Sequence, residues 1–499
     1  MITRVLCLGN NTEDTDIKTI NLAIDAGCVC YGLLSGLDKP LTPDNYSQAG
    51  YYHSSIYDIE VGQLLDICNQ FDLVIMLAQP KSNWSHPDAF YNTVRLLNKV
   101  SSDVIFLDKT YRDQINFFET LVENNKSFCI FPFIELLVDN QNTTVCCRSN
   151  KPITSINKLT NFNTDVTYTG IRNKMLSGEK IPGHCQSCYT LEDQGIISAR
   201  QQETVEWANR LNLKDLDDLK KIIKPAYYEV RSSNKCNLQC RMCHPKFSHL
   251  IAKEYAEIGL IKTVTSQPIQ SGFEIVEFDN LQKLYVAGGE PTIMPEFYKF
   301  LDQCIEKNNT DFELLVNTNG IKFSDKFKQQ LNHFSNFQFI FSIDGYCDIN
   351  YYIRWPGQWD QIVDNWRYAV SNGHKVTVNT TVSIYNITSL DRLFMFIDKE
   401  FPGTLVHCQL AHNVSPFLFP DAVLPLKSLR KITTLSCYKN DPLMASSIDG
   451  YIRQFEHCHK EDKVGLSKFF KFNDQLDKSR NINLQDYIPD LYKHRPISV

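Results

Sequence analysis

Strand-like apolar runs recur at a steady interval through the second half of this chain, and that recurrence limits the fold more than any other feature. They begin at Tyr227 (TyrTyrGluValArg), Lys283 (LysLeuTyrValAla), Phe312 (PheGluLeuLeuVal), Phe337 (PheGlnPheIlePheSer), Lys375 (LysValThrValAsnThrThrVal) and Thr404 (ThrLeuValHisCysGlnLeu). After a longer first gap, successive starts lie about 25 to 40 residues apart, room for one strand and one helix. Six β/α units in series predict a partial (β/α)6 barrel over residues 206–423, with its functional face at the strand C-termini. No solenoid-type repeat is present beyond this alternation.

The flanking regions read differently. Residues 1–125 hold short apolar runs from Thr3, Phe71 and Asp103, separated by amphipathic stretches such as the one from Ile17. This alternation predicts a small parallel Rossmann-like α/β domain. Gly9-Asn10-Asn11 follows its first strand without a G-x-G-x-x-G, so no dinucleotide site is expected there. The loop Gln79 to Pro87 reads as a polar surface loop, with a ligand-binding strand edge as the alternative. Residues 126–205 are rich in cysteine and predict a small hairpin domain, and residues 424–499 predict a helical cap across the open edge of the barrel.

The 499 residues contain 17 cysteines, 51 basic and 57 acidic side chains, giving a net charge of -6. With 43% hydrophobic residues the chain can bury substantial cores, so disorder is excluded as its general state. A mildly acidic balance without a basic run argues against nucleic acid as the partner. No apolar run approaches the ~20 residues of a membrane helix, and the first residues lack the pattern of a secretory leader. The expectation is a cytoplasmic protein with reduced thiols, in which clustered cysteines mean metal or chemistry. Isolated cysteines such as Cys7, Cys304 and Cys408 are expected to be buried small hydrophobes. His457-Cys458-His459 lacks the spacing of a closed metal site and is expected on the surface.

Directly after the first barrel strand come Cys236, Cys240 and Cys243, spaced C-x-x-x-C-x-x-C. Three thiolates so spaced can hold three corners of an iron–sulfur cube and leave one iron open; a tetrahedral zinc site with His244 is the alternative. The later strand ends add further motifs. Gly288-Gly289-Glu290-Pro291 ends the second strand, Asn317-Thr318-Asn319-Gly320 the third, Ser342-Ile343-Asp344-Gly345 the fourth and Asn379-Thr380-Thr381-Val382 the fifth, while Arg354 lies in TyrTyrIleArgTrpProGly. In this order, the triplet and strand ends resemble the radical S-adenosylmethionine (SAM) superfamily. The resemblance implies that Cys236, Cys240 and Cys243 hold a 4Fe-4S cluster. It implies that Gly288, Gly289, Glu290 and Pro291 hold the SAM amino group. It also implies that Asn317, Asn319, Ser342, Asp344, Asn379 and Val382 contact its ribose, carboxylate and adenine, with Arg354 as a cationic partner for the carboxylate. Met242 stands where the wider family commonly has an aromatic, and it can pack against an adenine.

The implied activity is reductive cleavage of SAM to a 5′-deoxyadenosyl radical that abstracts hydrogen from a substrate. Upstream, Cys129, Cys146, Cys185 and Cys188 resemble the hairpin-plus-C-x-x-C of a twitch-type auxiliary domain, related to SPASM domains, which binds a second 4Fe-4S cluster. Cys147 is an alternative to Cys146, His184 an alternative ligand, and a zinc-stapled hairpin an alternative site. The domain precedes the barrel here, although in the family it usually follows, and Asn or Gln replaces the hairpin glycine. The resemblance implies a peptide or protein side chain as substrate and an electron donor such as flavodoxin or ferredoxin. A small metabolite or nucleotide-derived substrate, or a non-catalytic SAM-binding redox sensor, are the alternatives.

Overall fold

The computed structural model describes five strands within the first 116 residues, and residues 117–496 except 119, 140, 150, 160, 194–197, 232, 263–271, 412–413 and 459. The chain divides into two compact units, residues 1–131 with 171–222, and residues 132–170 with 223–499. The segment 126–205, expected from the sequence as one cysteine-rich domain, is therefore shared between the two.

In the first unit the strands β1 (Arg4–Gly9), β2 (Val29–Leu34), β3 (Gly50–Tyr52), β4 (Leu73–Met76) and β5 (Asp103–Phe106) form a sheet of order β3-β2-β1-β4-β5. Every pairing is parallel. β1, β4 and β5 are the three runs read from the sequence. β2, ValCysTyrGlyLeuLeu, was not among them. The stretch from Ile17 and the loop Gln79 to Pro87 lie outside the described residues. The remainder of this unit includes the helices Pro182–Asp193 and Ala199–Arg210. Ser198 caps the second helix, its hydroxyl accepting from the Gln201 N–H while the Gln201 side chain accepts from the Ser198 N–H.

The second unit is built on a nine-stranded sheet of order β14-β13-β12-β11-β10-β9-β6-β7-β8. Its barrel part is β9 (Tyr227–Arg231), β10 (Lys283–Ala287), β11 (Glu313–Thr318), β12 (Phe337–Ser342), β13 (Lys375–Val382) and β14 (Leu405–Leu410). All six match the sequence reading, and each pairs in parallel with its neighbour in chain order. The hairpin expected between Cys129 and Cys146 also forms. β6 (Glu135–Asp139) runs antiparallel to β7 (Asn142–Thr144), and Asp139 pairs with Asn142 across the turn. It does not stand apart, because β6 lies parallel to β9 with Glu135 opposite Tyr227. The hairpin and the short β8 (Thr154–Ser155) extend the barrel sheet.

Residues alternate across each strand. Tyr228, Val230, Leu284, Val286, Leu314, Val316, Phe339, Phe341, Val378 and Val406 are fully buried in the hydrophobic core. They meet helices that bury one stripe each: Phe297, Phe300, Leu301 and Cys304 from Pro295–Glu306, and Leu390, Leu393, Phe394 and Ile397 from Leu390–Glu400. The opposite parity carries Glu229, Arg231, Tyr285, Asn317, Ser342 and Thr381. At the β14 edge, Asp441 accepts the Val406 N–H at 3.3 Å, and Tyr451 of the helix Pro442–Arg453 donates to the Cys408 carbonyl at 3.4 Å. These contacts satisfy strand groups that an open edge leaves unpaired. The segment from Leu424 onward contains a series of helices. No described helix is long and apolar enough to cross a membrane.

Candidate active site

The C-terminal ends of β9 to β13 surround a cavity of about 340 Å³. Its wall contains Cys236, Cys240 and Cys243, then Gly288, Gly289 and Glu290, then Asn317 and Asn319, then Ser342, Asp344 and Arg354. The motifs read separately from the sequence thus meet in one place. Met242 is also in the wall.

The cysteine loop is fixed from several sides. At the β10 end, the Glu290 N–H donates to the Lys235 carbonyl at 2.8 Å. At the β11 end, the Asn319 amide donates to Asn237 Oδ1 at 2.7 Å. The Gln239 and Arg241 N–H groups donate to the Trp355 and Ile353 carbonyls at 2.7 and 2.8 Å. The glycines serve this packing. A Cβ on Gly289, where φ is +54°, would lie 2.3 Å from the Lys235 carbonyl oxygen, and one on Gly288, where φ is +81°, would lie 3.1 Å from Arg231 Cα. The close approach visible here is between the strand end and the chain's own cysteine loop.

Burial is the main cause raising the thiol pKa at each of the three cysteines, and the neighbouring sulfur adds to it at Cys236 and Cys243; Cys243 is pushed up to about 12. Three buried thiols whose proton affinity is raised form a donor set without its positive charge, which a metal centre would supply by displacing the protons. Among the described residues no three His, Cys, Asp or Glu side chains are already drawn to metal-holding distance. The Arg354 guanidinium favours the Cys240 thiolate, and Arg354 Nε lies 2.6 Å from Asp344 Oδ2. Asp344 Oδ1 accepts the Thr381 N–H at 2.7 Å. The two Arg354 Nη groups have no protein partner among the described residues, so a buried guanidinium offers two donors to an anion in the cavity.

Glu290 is buried and takes four hydrogen bonds. Its Oε1 accepts from the Thr292 N–H at 3.1 Å and from the Thr292 and Thr318 hydroxyls at 2.7 Å each, and its Oε2 accepts from the Asn319 N–H at 2.7 Å. Burial raises its pKa against the pull of those donors. Oε2, with one donor, keeps a lone pair for a cationic ligand. Ser342 donates to Asn317 Oδ1 at 3.2 Å, linking two further wall residues.

Three residues named from the sequence lie elsewhere. Pro291 is buried in the turn after Glu290, outside the wall. Asn379 is half-buried and its carbonyl accepts the Ile343 N–H. Val382 is fully buried in the core because strand alternation turns it toward the helices, and its carbonyl is taken by the Ala411 N–H. Thr381, one residue earlier, lines the cavity in its place. Sequence reasoning also missed Arg231 and Tyr285. Arg231 Nε donates to Glu229 Oε1 at 2.7 Å, and both residues face away from the core. The visible signal was a Glu-x-Arg pair within an otherwise apolar strand.

The upstream cysteines divide. Cys129, Cys185 and Cys188 belong to the first unit, and Cys146 and Cys147 to the second. Cys185 and Cys188 sit on the helix Pro182–Asp193 rather than in a knuckle loop, three residues apart and so on one face. Burial raises Cys129 first, followed by the nearby Cys185, with Cys188 also contributing. Cys185 is pushed to about 11 by burial and by Cys188. The fully buried Arg200 braces this region, donating to the Phe128 carbonyl at 2.7 Å and through Nε and Nη2 to Glu192 at 2.8 and 2.7 Å.

Residues 230–396, about one third of the chain, match the family model of the Radical SAM superfamily. Among solved structures, anSMEcpe with bound AdoMet is 14% identical with a TM-score of 0.30, over 42% of this chain and 59% of that one. Streptococcus suis SuiB bound to precursor peptide SuiA is 14% identical with a TM-score of 0.31, over 65% of this chain and 64% of that one. The chain therefore spans less than two thirds of the length of either protein. A comparison with curated proteins gives no match. The matched segment runs from the end of β9 to the helix after β13, so it contains the whole cavity wall.

Proposed function

We propose that this protein cleaves SAM reductively at a 4Fe-4S cluster carried by Cys236, Cys240 and Cys243. The observation that carries this reading is the meeting of three free thiols, a buried Glu290 and an Arg354 with open Nη donors in one cavity. When bound, the cluster and SAM supply the electron and the S–C5′ cleavage that yields a 5′-deoxyadenosyl radical able to take hydrogen from a substrate. The chain's residues bind and orient. Arg354 donates to the SAM carboxylate, held in place by Asp344. Glu290 Oε2 accepts from the amino group, held by Thr292, Thr318 and Asn319. Asn317, Ser342 and Thr381 offer polar contacts to the ribose and adenine side. An external one-electron donor such as flavodoxin or ferredoxin supplies the reductant, in the cytoplasm.

The substrate is a peptide or protein side chain. Arg231, Glu229 and Tyr285 support a hydrogen-bonding substrate, since they place polar groups beside the cavity. A second cluster is held in the first unit by Cys129, Cys185 and Cys188, and the neighbouring sulfurs add to the raised pKa of Cys129 and of Cys185. The test is anaerobic reconstitution with iron and sulfide, addition of SAM and dithionite, and measurement of 5′-deoxyadenosine. Replacing Cys236, Cys240 and Cys243 together by Ala abolishes that product; its continued formation in the triple variant overturns the assignment.

A further inference from the structure

Arg241 sits between the second and third cysteines of the loop, and its side chain is fully buried. Nε donates to the Tyr352 carbonyl at 2.8 Å and Nη1 to Asn473 Oδ1 at 2.9 Å, while Nη2 is bound by Asp477 Oδ1. The guanidinium carbon lies 3.6 Å from the centre of the Tyr352 ring. Asn473 and Asp477 both belong to the helix Lys463–Arg480, more than two hundred residues further along the chain. Asp477 also accepts from the Tyr352 hydroxyl at 3.0 Å and from the Leu484 N–H at 2.7 Å. At the end of the same helix, Arg480 makes a two-pronged bridge to Glu254, at 2.8 and 2.6 Å, in the helix that follows the cysteine loop. Its guanidinium lies 5.3 Å from the Trp355 ring centre.

These contacts converge on residues 352–355. That segment accepts the Gln239 and Arg241 N–H groups and contains Arg354. We propose that the C-terminal helix is a positioning element for the radical SAM centre: Asp477 and Asn473 hold Arg241, and Arg241 fixes the Cys240–Cys243 turn against the segment that carries Arg354. The inference rests on the reading that this loop holds a cluster. A buried ion pair is weak evidence for stability, because well-packed apolar side chains fill the same space at no greater cost. A planar fork with three acceptors fixes position and orientation, which apolar packing does not. The element therefore sets the distance between the thiols and the guanidinium that receives the SAM carboxylate.

The test uses full-length protein, reconstituted anaerobically, as wild type, Arg241→Lys and Asp477→Asn. Arg241→Lys keeps the charge and removes the fork; Asp477→Asn removes the charged acceptor at nearly constant shape. Both are expected to retain iron and a folded circular dichroism spectrum. Their dithionite-reduced electron paramagnetic resonance signals should broaden, and SAM should bind at least about tenfold more weakly and fail to shift the signal as it does in wild type. A purely structural role would lower the melting temperature and leave the spectrum and its response to SAM unchanged, and that result overturns the proposal. Should both variants fail to fold, Asn473→Ser, which removes one bond to Arg241, supplies the same readout, and a wild-type response there is equally fatal. Failure of the underlying reading is distinct: wild type itself would then show no reduced-cluster signal, and the proposal falls with it.

Discussion

Glu290→Gln separates recognition of the ligand from assembly of the site. The carboxylate uses Oε1 for three donors and Oε2 for the Asn319 N–H. The Gln side chain can keep its oxygen on the three-donor side, which turns its NH2 toward Asn319. One buried backbone N–H then loses its acceptor, at a cost of about 1–3 kcal/mol in folding stability. The same NH2 cannot accept from the SAM ammonium. Loss of that charge-assisted bond costs about 1.5–3 kcal/mol, or roughly 10- to 150-fold in affinity. The cysteines are untouched, so iron uptake should equal that of wild type. Equilibrium titration of reconstituted protein with SAM measures the loss of affinity and thermal melting the loss of stability. Unchanged SAM affinity, with or without a lower melting temperature, would remove Glu290 from the ligand site.

Further consequences concern the loop, the thiols and the second cluster. Gly289→Ala places a Cβ 2.3 Å from the Lys235 carbonyl oxygen at a φ of +54°, so the cysteine loop must move; iron retention after reconstitution and desalting should fall sharply, and full retention refutes the packing role. In metal-free protein, burial raises the pKa of Cys236, Cys240 and Cys243, so the folded state holds its protons to higher pH than the unfolded chain. Stability from these groups is complete below the unfolded thiol value of about 8.5 and declines as pH rises above it, which denaturant titrations between pH 7 and pH 10 as roughly spaced points can follow. Iodoacetamide should likewise label these thiols slowly near neutrality; rapid labelling of all three contradicts the burial argument. A Cys185→Ala, Cys188→Ala double variant should fall from about eight irons per chain to about four while still cleaving SAM. One zinc with about four irons in the wild-type protein would remove the second cluster and leave the first.

Much of the barrel was legible because its information is local. Each strand run and each amphipathic helix announces itself over about ten residues, and the motifs at the strand ends follow in chain order. The parallel pairing then brings those ends to one rim, so Cys236, Gly289, Glu290, Asn319, Asp344 and Arg354 meet with little further information. Within a motif, however, the strand's two-residue period decides which side chain reaches the cavity. Reading whole tetrapeptides placed Val382 in the site, whereas alternation puts Thr381 there.

What only the tertiary structure decided are the pairings between distant segments. Nothing in GluLeuLeuValAsp says that β6 will lie against β9, because sheet pairing is made by backbone groups that every residue carries. The division of residues 126–205 between two units is hidden for the same reason, since local composition groups cysteines that the fold assigns to different units. The stretch PheAsnAspGlnLeuAspLysSerArg reads from sequence as part of a helical cap. Its Asn473, Asp477 and Arg480 acquire their role through long-range contacts, when one face of that helix is brought to Arg241 and Glu254. Sequence patterning determined the elements and the order of the chemical groups. The three-dimensional packing decided which charged side chains are buried together, and a buried charge must find its partner wherever the fold places one.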